Sequence, residues 1–191
     1  MSSLQSRIIR AIKLDPTLYQ EVKKDNDALP QAMLIIVAVS IATSICLGFF
    51  RAYGLSHLVV GLFVALIVWY VRTGIVFLTG FYLLPGPEGG VKYKELLRVV
   101  GFAASPGLIM ILGFISSLAP IVLMVSAFWM LAALVVAVKE AFNYATMRRA
   151  IGVCFVIILI QAVIIKFLFF PTGSPKSLEL PISNGSIITP R

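Results

Sequence analysis

The stretch LVVGLFVALIVWYVRTGIVFLTGFYLL, at Leu58–Leu84, decides the fold. A helix needs roughly 20 apolar residues to cross the hydrocarbon core of a bilayer, and this stretch exceeds that length with Arg72 as its one charged residue. Its residues do not alternate between apolar and polar, as those of a membrane-spanning strand would. Because backbone polar groups must bond internally in lipid, the stretch predicts a membrane-spanning helix.

Four further apolar runs of similar length surround it. The chain has 191 residues, of which 60% are hydrophobic and 13% charged, against about 45–50% and 25% in soluble domains. This composition excludes a soluble enzyme, a disordered chain and a disulfide-stapled secreted module. We predict an all-α membrane protein with five transmembrane helices. The other four runs are Gln31–Phe50, Val99–Leu118, Ile121–Val138 and Ala150–Phe170.

The chain divides into three predicted parts. Residues 1–27 are charged and form a cytoplasmic amphipathic segment, residues 28–170 form the transmembrane domain, and residues 171–191 form a mobile tail rich in Pro, Ser and Gly. Basic residues concentrate in the N-terminal segment and in the second and fourth loops, so the positive-inside rule places the N-terminus in the cytoplasm and the C-terminus outside.

The first helix of the N-terminal segment presents two different faces. Apolar residues from Leu4 to Ile12 recur at helical spacing, while Arg7, Arg10 and Lys13 fall on the other side. Such a helix can lie on a membrane surface, with its cations at anionic lipid headgroups. A membrane-bending function would rest on this segment.

Arg72 is the candidate intramembrane site, because a charge at mid-span is costly and indicates function by default. Pro106 lies in the middle of the third run, where it leaves the carbonyl of Phe102 without its usual donor. We therefore predict that the Arg72 guanidinium bonds to freed carbonyls near Phe102 or to Ser105. A ligand-facing or lipid-phosphate role for Arg72 and snorkelling to an interface stay open as alternatives.

A second candidate site lies at the cytoplasmic helix ends. Its charged residues either form ion pairs that join the second loop to the fourth, or make a docking surface for lipid headgroups or a protein. These residues are Lys94, Glu95, Arg98, Glu140, Arg148 and Arg149.

Catalysis finds little support in the sequence. His57 is the only histidine, and Cys46 and Cys154 lie singly in apolar runs, so neither a metal site nor a redox pair is indicated. No phosphate-binding or dinucleotide-binding motif is present. We expect a protein that is not an enzyme, with no cofactor and no metal.

Three stretches resemble one known family. They are RIIRAIKLDPTLYQEVKKD (7–25), GGVKYKELLRVVGFAASPGLI (89–109) and VKEAFNYATMRRAIG (138–152). They are similar to the Yip-one domain proteins, the Ypt/Rab-interacting integral membrane proteins, and especially to short prokaryotic members. The matching family residues are Gly101, Pro106, Glu140 and Arg149.

The resemblance implies a membrane adaptor in a prokaryotic cytoplasmic or thylakoid membrane, without Rab-type partners. We expect a membrane scaffold or organising subunit that works through helix packing and its basic cytoplasmic face. The expected partners are anionic lipids and either another membrane protein or further copies of the chain, with no nucleic acid. The alternative is a small-solute, anion or lipid transporter or channel that uses Arg72 and the helix break at Pro106.

Overall fold

The computed structural model describes residues 3–86 and 91–169, and the predicted tail at 171–191 lies outside this range. Every regular element in the described part is helical. The elements are α1 Leu4–Ile12, α2 Pro16–Lys24, α3 Ala28–Cys46, α4 Phe49–Leu78 continuing in a π-helical turn Thr79–Leu83, α5 Tyr93–Ala103 continuing in a 3₁₀ segment Ser105–Phe114, α6 Ala119–Ala141 and α7 Met147–Phe169.

Four stretches of this first part are long and apolar enough to cross a membrane. They are Ala28–Cys46, Leu58–Leu83, Tyr93–Phe114 and Ala119–Ala141. They correspond to the first four predicted spans, with one clear shift: the third begins at Tyr93 rather than at Val99. The fifth span, predicted at Ala150–Phe170, stays a prediction that ends beyond the described residues.

The third span is the centre of residues 3–158, the larger of two compact units. Of the 18 residues in its most apolar stretch, 78% are buried, whereas only 17% are buried in the corresponding stretch of α4. Helices α2, α3, α4 and α6 all pack against α5. The first turns of α7 add Ala150, Val153 and Ile157 to the same apolar core.

The smaller unit begins at Leu159 and is described as far as Phe169. It continues as α-helix, and both Gln161 and Lys166 are exposed there.

Helix α4 starts with a break at Gly54, in the stretch that lies between the first two predicted spans. Gly54 has φ 73° and ψ −161°, a conformation open only to glycine, so the axis is interrupted before the span begins at Leu58. The residues between the first two spans are therefore mostly helical rather than irregular.

The N-terminal hairpin, which we define as α1, α2 and the turn that follows them (residues 4–26), packs onto the bundle. Asp15 caps α2 by accepting the backbone N–H of Thr17 at 2.9 Å. Leu18, Tyr19 and Val22 of α2 are completely buried. The hairpin also contacts α5, the 3₁₀ segment and α6, so it is part of the folded core.

Candidate functional site

A cavity of about 520 Å³ lies between α3 and α4 and reaches Arg72. Ser40, Thr43 and Ser44 line it from α3, and Gly61, Trp69 and Arg72 line it from α4. The floor includes Val100 and Ala104 of the central span. Its size falls within the range of small-molecule sites, about 300–1,000 Å³, and most of its wall is apolar.

Two residues that line this cavity carry a buried nitrogen donor for which the described part of the chain provides no acceptor. The Nε of Arg72 and the indole Nε1 of Trp69 are both buried, and neither has a hydrogen-bond partner in the part of the chain that the structure describes. Trp69 is only 3% exposed. Buried donors in proteins are nearly always paired, so two orphans in one cavity wall indicate a missing acceptor.

Two of the three hydroxyl groups that line the cavity, those of Ser40 and Thr43, already have acceptors. Thr43 donates to the carbonyl of Val39 at 2.7 Å, one turn back on its own helix, and Ser40 donates across to the carbonyl of Gly61 at 3.4 Å. The unsatisfied polar demand therefore concentrates at Arg72 and Trp69.

The predicted bond from Arg72 to Ser105 is wrong. Ser105 is completely buried and its Oγ, like the Nε of Arg72, has no partner within the described residues. No hydrogen bond joins Arg72 to a carbonyl near Phe102 within the described residues either; the backbone there bonds to itself, with the N–H of Ala104 donating to the carbonyl of Gly101 at 3.2 Å and that of Gly107 to the carbonyl of Ala104 at 2.9 Å. Pro106 has no N–H to donate, and the backbone accommodates this by changing from an α-helix to a 3₁₀ helix rather than by bonding to a side chain.

The central span packs closely against α3. Small residues four apart, such as Gly101 and Ser105 or Ala103 and Gly107, predict close helix packing, and the structure shows it at Gly101 and Gly107. In the structure the contacts come every six residues: an added Cβ at Gly101 would meet Ala32 at 2.6 Å, one at Gly107 would meet Val39 at 2.8 Å, and Gly113 lies against Cys46.

The six-residue spacing follows from the winding. At three residues per turn, Gly107 and Gly113 are two turns apart on one face. Their partners Val39 and Cys46 are seven apart on α3, which is two turns of an α-helix. The 3₁₀ segment thus keeps its glycines against α3 along the whole interface.

The second candidate region is a polar cluster around the N-terminal hairpin. Arg7 is 3% exposed. Its guanidinium donates to Glu21 at 2.9 Å, Asp25 at 2.6 Å and Gln31 at 2.9 Å. The prediction that Arg7 faces a membrane surface is therefore wrong, because α2 supplies carboxylates that draw this cation inward.

Arg10 is also held within the hairpin, whereas Lys13 is exposed. Arg10 donates to Asp15 at 2.8 Å and to Glu21 at 2.6 Å. The hydrogen bond from Arg10 lowers the pKa of the Asp15 carboxyl, and the bond from Arg7 lowers that of Asp25. These shifts favour the charged forms and strengthen the cluster at neutral pH.

The predicted helix-end residues separate into two groups. Arg98 is 5% exposed and donates to the carbonyl of Asp25 and to Asn26 at 3.0 Å, so it ties α5 to the hairpin instead of forming a surface. Glu95 accepts the backbone N–H of Lys92 at the start of α5. Glu140 pairs with Lys139 at 3.0 Å.

The predicted ion pairs between the second and fourth loops are wrong for the residues described here: no ion pair joins Glu95 to Arg149 or Arg98 to Glu140. The hairpin makes the connection, since Gln20 donates to Glu140 and Lys23 donates to the carbonyl of Ala141 at 2.7 Å. The remaining predicted residues, Lys94, Arg148 and Arg149, are exposed.

Trp69 is the site residue that sequence reasoning missed. The signal was present: Leu58, Gly61, Ala65, Val68 and Arg72 follow a three-four spacing that puts them on one face of α4, and Trp69 adjoins that face. No group of three metal-ligating side chains occurs in the described ranges.

The class of protein follows from the fold: four helices are long and apolar enough to cross a membrane, and they pack around a buried central span. The chain is an integral, multi-pass membrane protein with a cavity between α3 and α4. The chain belongs to the Yip1 domain family, the Yip-one family of the sequence resemblance, whose model matches residues 13–167. Neither the curated proteins nor the solved structures include a match.

Proposed function

We propose that this protein is a carrier that binds an anionic ligand inside the membrane, between α3 and α4, without catalysing a reaction on it. The observation that carries the proposal is the pair of orphan donors, Arg72 Nε and Trp69 Nε1, in the wall of one cavity. An anion in the cavity would neutralise the Arg72 guanidinium, and a rotation of either side chain would turn its buried donor toward that anion.

The energetic cost of Arg72 supports a ligand. A charged residue at the centre of a spanning helix costs about 2.5–3.5 kcal/mol on insertion scales, and Arg72 lies near the middle of Leu58–Leu83. Arg7 offsets its burial with carboxylate partners. Arg72 has no such bond from its Nε, so a bound anion would recover free energy that the protein alone does not.

The helix break at Pro106 supports movement of the bound ligand. Runs of 3₁₀ helix beyond three or four residues are uncommon and often mark a hinge. Here the run extends over Ser105–Phe114, and Ala104 at its start lines the cavity floor. A shift in this segment would change the cavity, as alternating access requires.

A scaffold function is the second candidate, and the exposed cations Lys94, Arg148 and Arg149 favour it. Together they offer charge to anionic headgroups or to an acidic protein surface. In this case the basic residues at the helix ends would hold a partner, and Arg72 would be dispensable for assembly.

The two functions separate in one purification experiment. The protein is extracted in mild detergent and examined by native mass spectrometry, as wild type, as Arg72→Gln and as the matched control Arg148→Gln. The carrier proposal expects a retained anionic species in wild type and in Arg148→Gln, and its loss in Arg72→Gln.

Retention that is unaffected by Arg72→Gln contradicts the carrier. A co-purified protein that leaves only in Arg148→Gln supports the scaffold. Circular dichroism of each variant shows that a loss of ligand does not arise from unfolding.

A further inference from the structure

The cavity is long, and its charge lies at one end. Along α4 its lining runs from Leu58 to Arg72, about 21 Å at 1.5 Å per residue. Arg72 and Trp69 occupy one end, and the α4 lining between them and Leu58 consists of small or apolar residues. This distribution fits a molecule with one charged end and one apolar end.

The volume limits how much apolar material fits. A water molecule occupies about 30 Å³ of liquid, and a methylene group is similar in size, so 520 Å³ holds roughly 17 such groups. One acyl chain and a small headgroup fill that space. The second chain of a phospholipid would have to lie outside the cavity, beyond its open side.

The cavity opens where lipid would be. Val60, Val64 and Val68 line it at four-residue spacing, and they are 61%, 51% and 48% exposed. All three belong to the candidate span Leu58–Leu83, so this opening faces hydrocarbon when the helix crosses a bilayer. A lipid can enter sideways through it, whereas an aqueous ion meets an apolar rim.

We infer that the ligand is a single-chain anionic amphiphile, such as a fatty acid or a lysophospholipid, with its headgroup at Arg72 and Trp69 and its chain directed toward Leu58. This inference rests on the proposed carrier function and adds the class of ligand. Two features carry it. The charge lies at one end only, since the rest of the lining offers only hydroxyls, of which those of Ser40 and Thr43 already have acceptors, and the cavity has room for one chain.

Gly61 offers a way to block the chain without touching the headgroup. It lines the cavity eleven residues from Arg72, about 17 Å away and on nearly the same face of α4. A Cβ at Gly61 would meet nothing within 4 Å, so a side chain can leave the backbone there without a clash. Gly74 is the matched control, since it lies on the same helix with equal space but does not line the cavity.

The test uses quenching of tryptophan fluorescence by brominated ligands. The chain has two tryptophans, so a Trp129→Phe background leaves Trp69 as the reporter inside the cavity. The probes are a brominated stearate, a brominated diacyl phosphatidic acid and bromopropionate, each added to the delipidated protein in detergent. Gly61→Phe, Gly74→Phe and Arg72→Gln are compared in that background.

We expect the brominated stearate to quench Trp69 fluorescence saturably. Its affinity should be about tenfold weaker in Gly61→Phe and unchanged in Gly74→Phe. Arg72→Gln weakens binding by about tenfold or more, since it removes the charge-assisted bond to the headgroup. Bromopropionate binds more weakly than stearate and is insensitive to Gly61→Phe.

Two results overturn the inference and leave the carrier function standing. One is equal affinity for bromopropionate and stearate, which removes the chain from recognition. The other is equal or tighter binding of the diacyl lipid, which removes the restriction to one chain. If no probe quenches saturably, or if Arg72→Gln binds as wild type does, both the inference and the carrier function fail.

Discussion

Two arginines of this chain are withdrawn from solvent in opposite ways. Arg7, in the N-terminal hairpin, has carboxylate and amide oxygens on its guanidinium nitrogens, at distances from 2.6 to 3.0 Å. Arg72, in the middle of α4, lines a cavity, and its buried Nε has no acceptor among residues 3–86 and 91–169. Arg7 is therefore surrounded by acceptor oxygens of the protein, whereas Arg72 borders an open cavity.

This difference separates a structural cation from one that awaits a ligand. A buried cation with several well-placed acceptors holds elements together, and its removal leaves the acceptors without a partner. A buried cation without acceptors makes the protein less stable than an apolar residue would, and it persists where function requires it. The two arginines should therefore respond with opposite signs to the same substitution.

The largest effect is expected for Arg7→Met. The change leaves the carboxylates of Glu21 and Asp25 without their shared cation, and we expect a loss of about 3 kcal/mol in the free energy of unfolding. Denaturant unfolding in detergent, followed by circular dichroism, measures it.

Lys13→Met is the control, since Lys13 belongs to the same segment and is exposed. It should shift the unfolding free energy by no more than about 0.5 kcal/mol. Equal losses in the two variants would show that the buried bonds of Arg7 contribute nothing specific.

The opposite sign is expected for Arg72→Met in the delipidated protein. Removal of a desolvated charge with an orphan Nε should raise the free energy of unfolding by about 1–2 kcal/mol, while ligand binding is lost. The same unfolding measurement, with and without added fatty acid, checks both parts. A destabilised Arg72→Met would assign Arg72 to the architecture and erase the contrast with Arg7.

The membrane-spanning helices could be predicted from the sequence because a long run of apolar residues is enough to identify each of them. Apolar length identified four stretches that the structure confirms, even though the ends moved by several residues. The third span was predicted to begin only at Val99 because Lys94, Glu95 and Arg98 are charged, although a helix was expected to start before it. In the structure Glu95 caps the helix and Arg98 is buried against the hairpin, and neither contact is visible without the fold.

The site was only half predictable. The depth of Arg72 marked it as unusual, but its surroundings depend on how α3, α4 and α5 pack. The sequence analysis predicted that Arg72 bonds to the carbonyls freed by Pro106. In the structure the backbone after Pro106 forms a 3₁₀ helix instead, and Arg72 takes no part in it. A signal existed in Gly101, Gly107 and Gly113, whose six-residue spacing matches three residues per turn.

The two tryptophans repeat the contrast at a smaller scale. Trp129 donates to the carbonyl of Ile12 at 2.9 Å and so joins α6 to the hairpin, whereas the indole of Trp69 has no acceptor. Trp129→Phe should cost about 1 kcal/mol beyond the change in size, and Trp69→Phe should cost less. The difference between their unfolding free energies is the measurement, and equal costs would count against an orphan donor at Trp69.

The smallest effect is the acid response of the hairpin. Since the bond from Arg7 lowers the pKa of Asp25 in the folded protein, the contribution of Asp25 to stability is complete above its unfolded pKa of about 4. It disappears as the pH falls through the lower, folded pKa. We expect the melting temperature of the wild type to depend on this carboxyl only below about pH 4.

Arg7→Met removes the main cause of the lowered pKa, so its melting temperature should fall less steeply than that of the wild type between pH 5 and pH 3 (a window set by an unfolded pKa of about 4). Arg72→Met should keep the steeper wild-type slope, because Arg72 holds no carboxylate of the hairpin. Parallel slopes for wild type and Arg7→Met would mean that Asp25 is not coupled to Arg7 in solution. The contrast between a satisfied and an unsatisfied arginine would then lose its electrostatic basis.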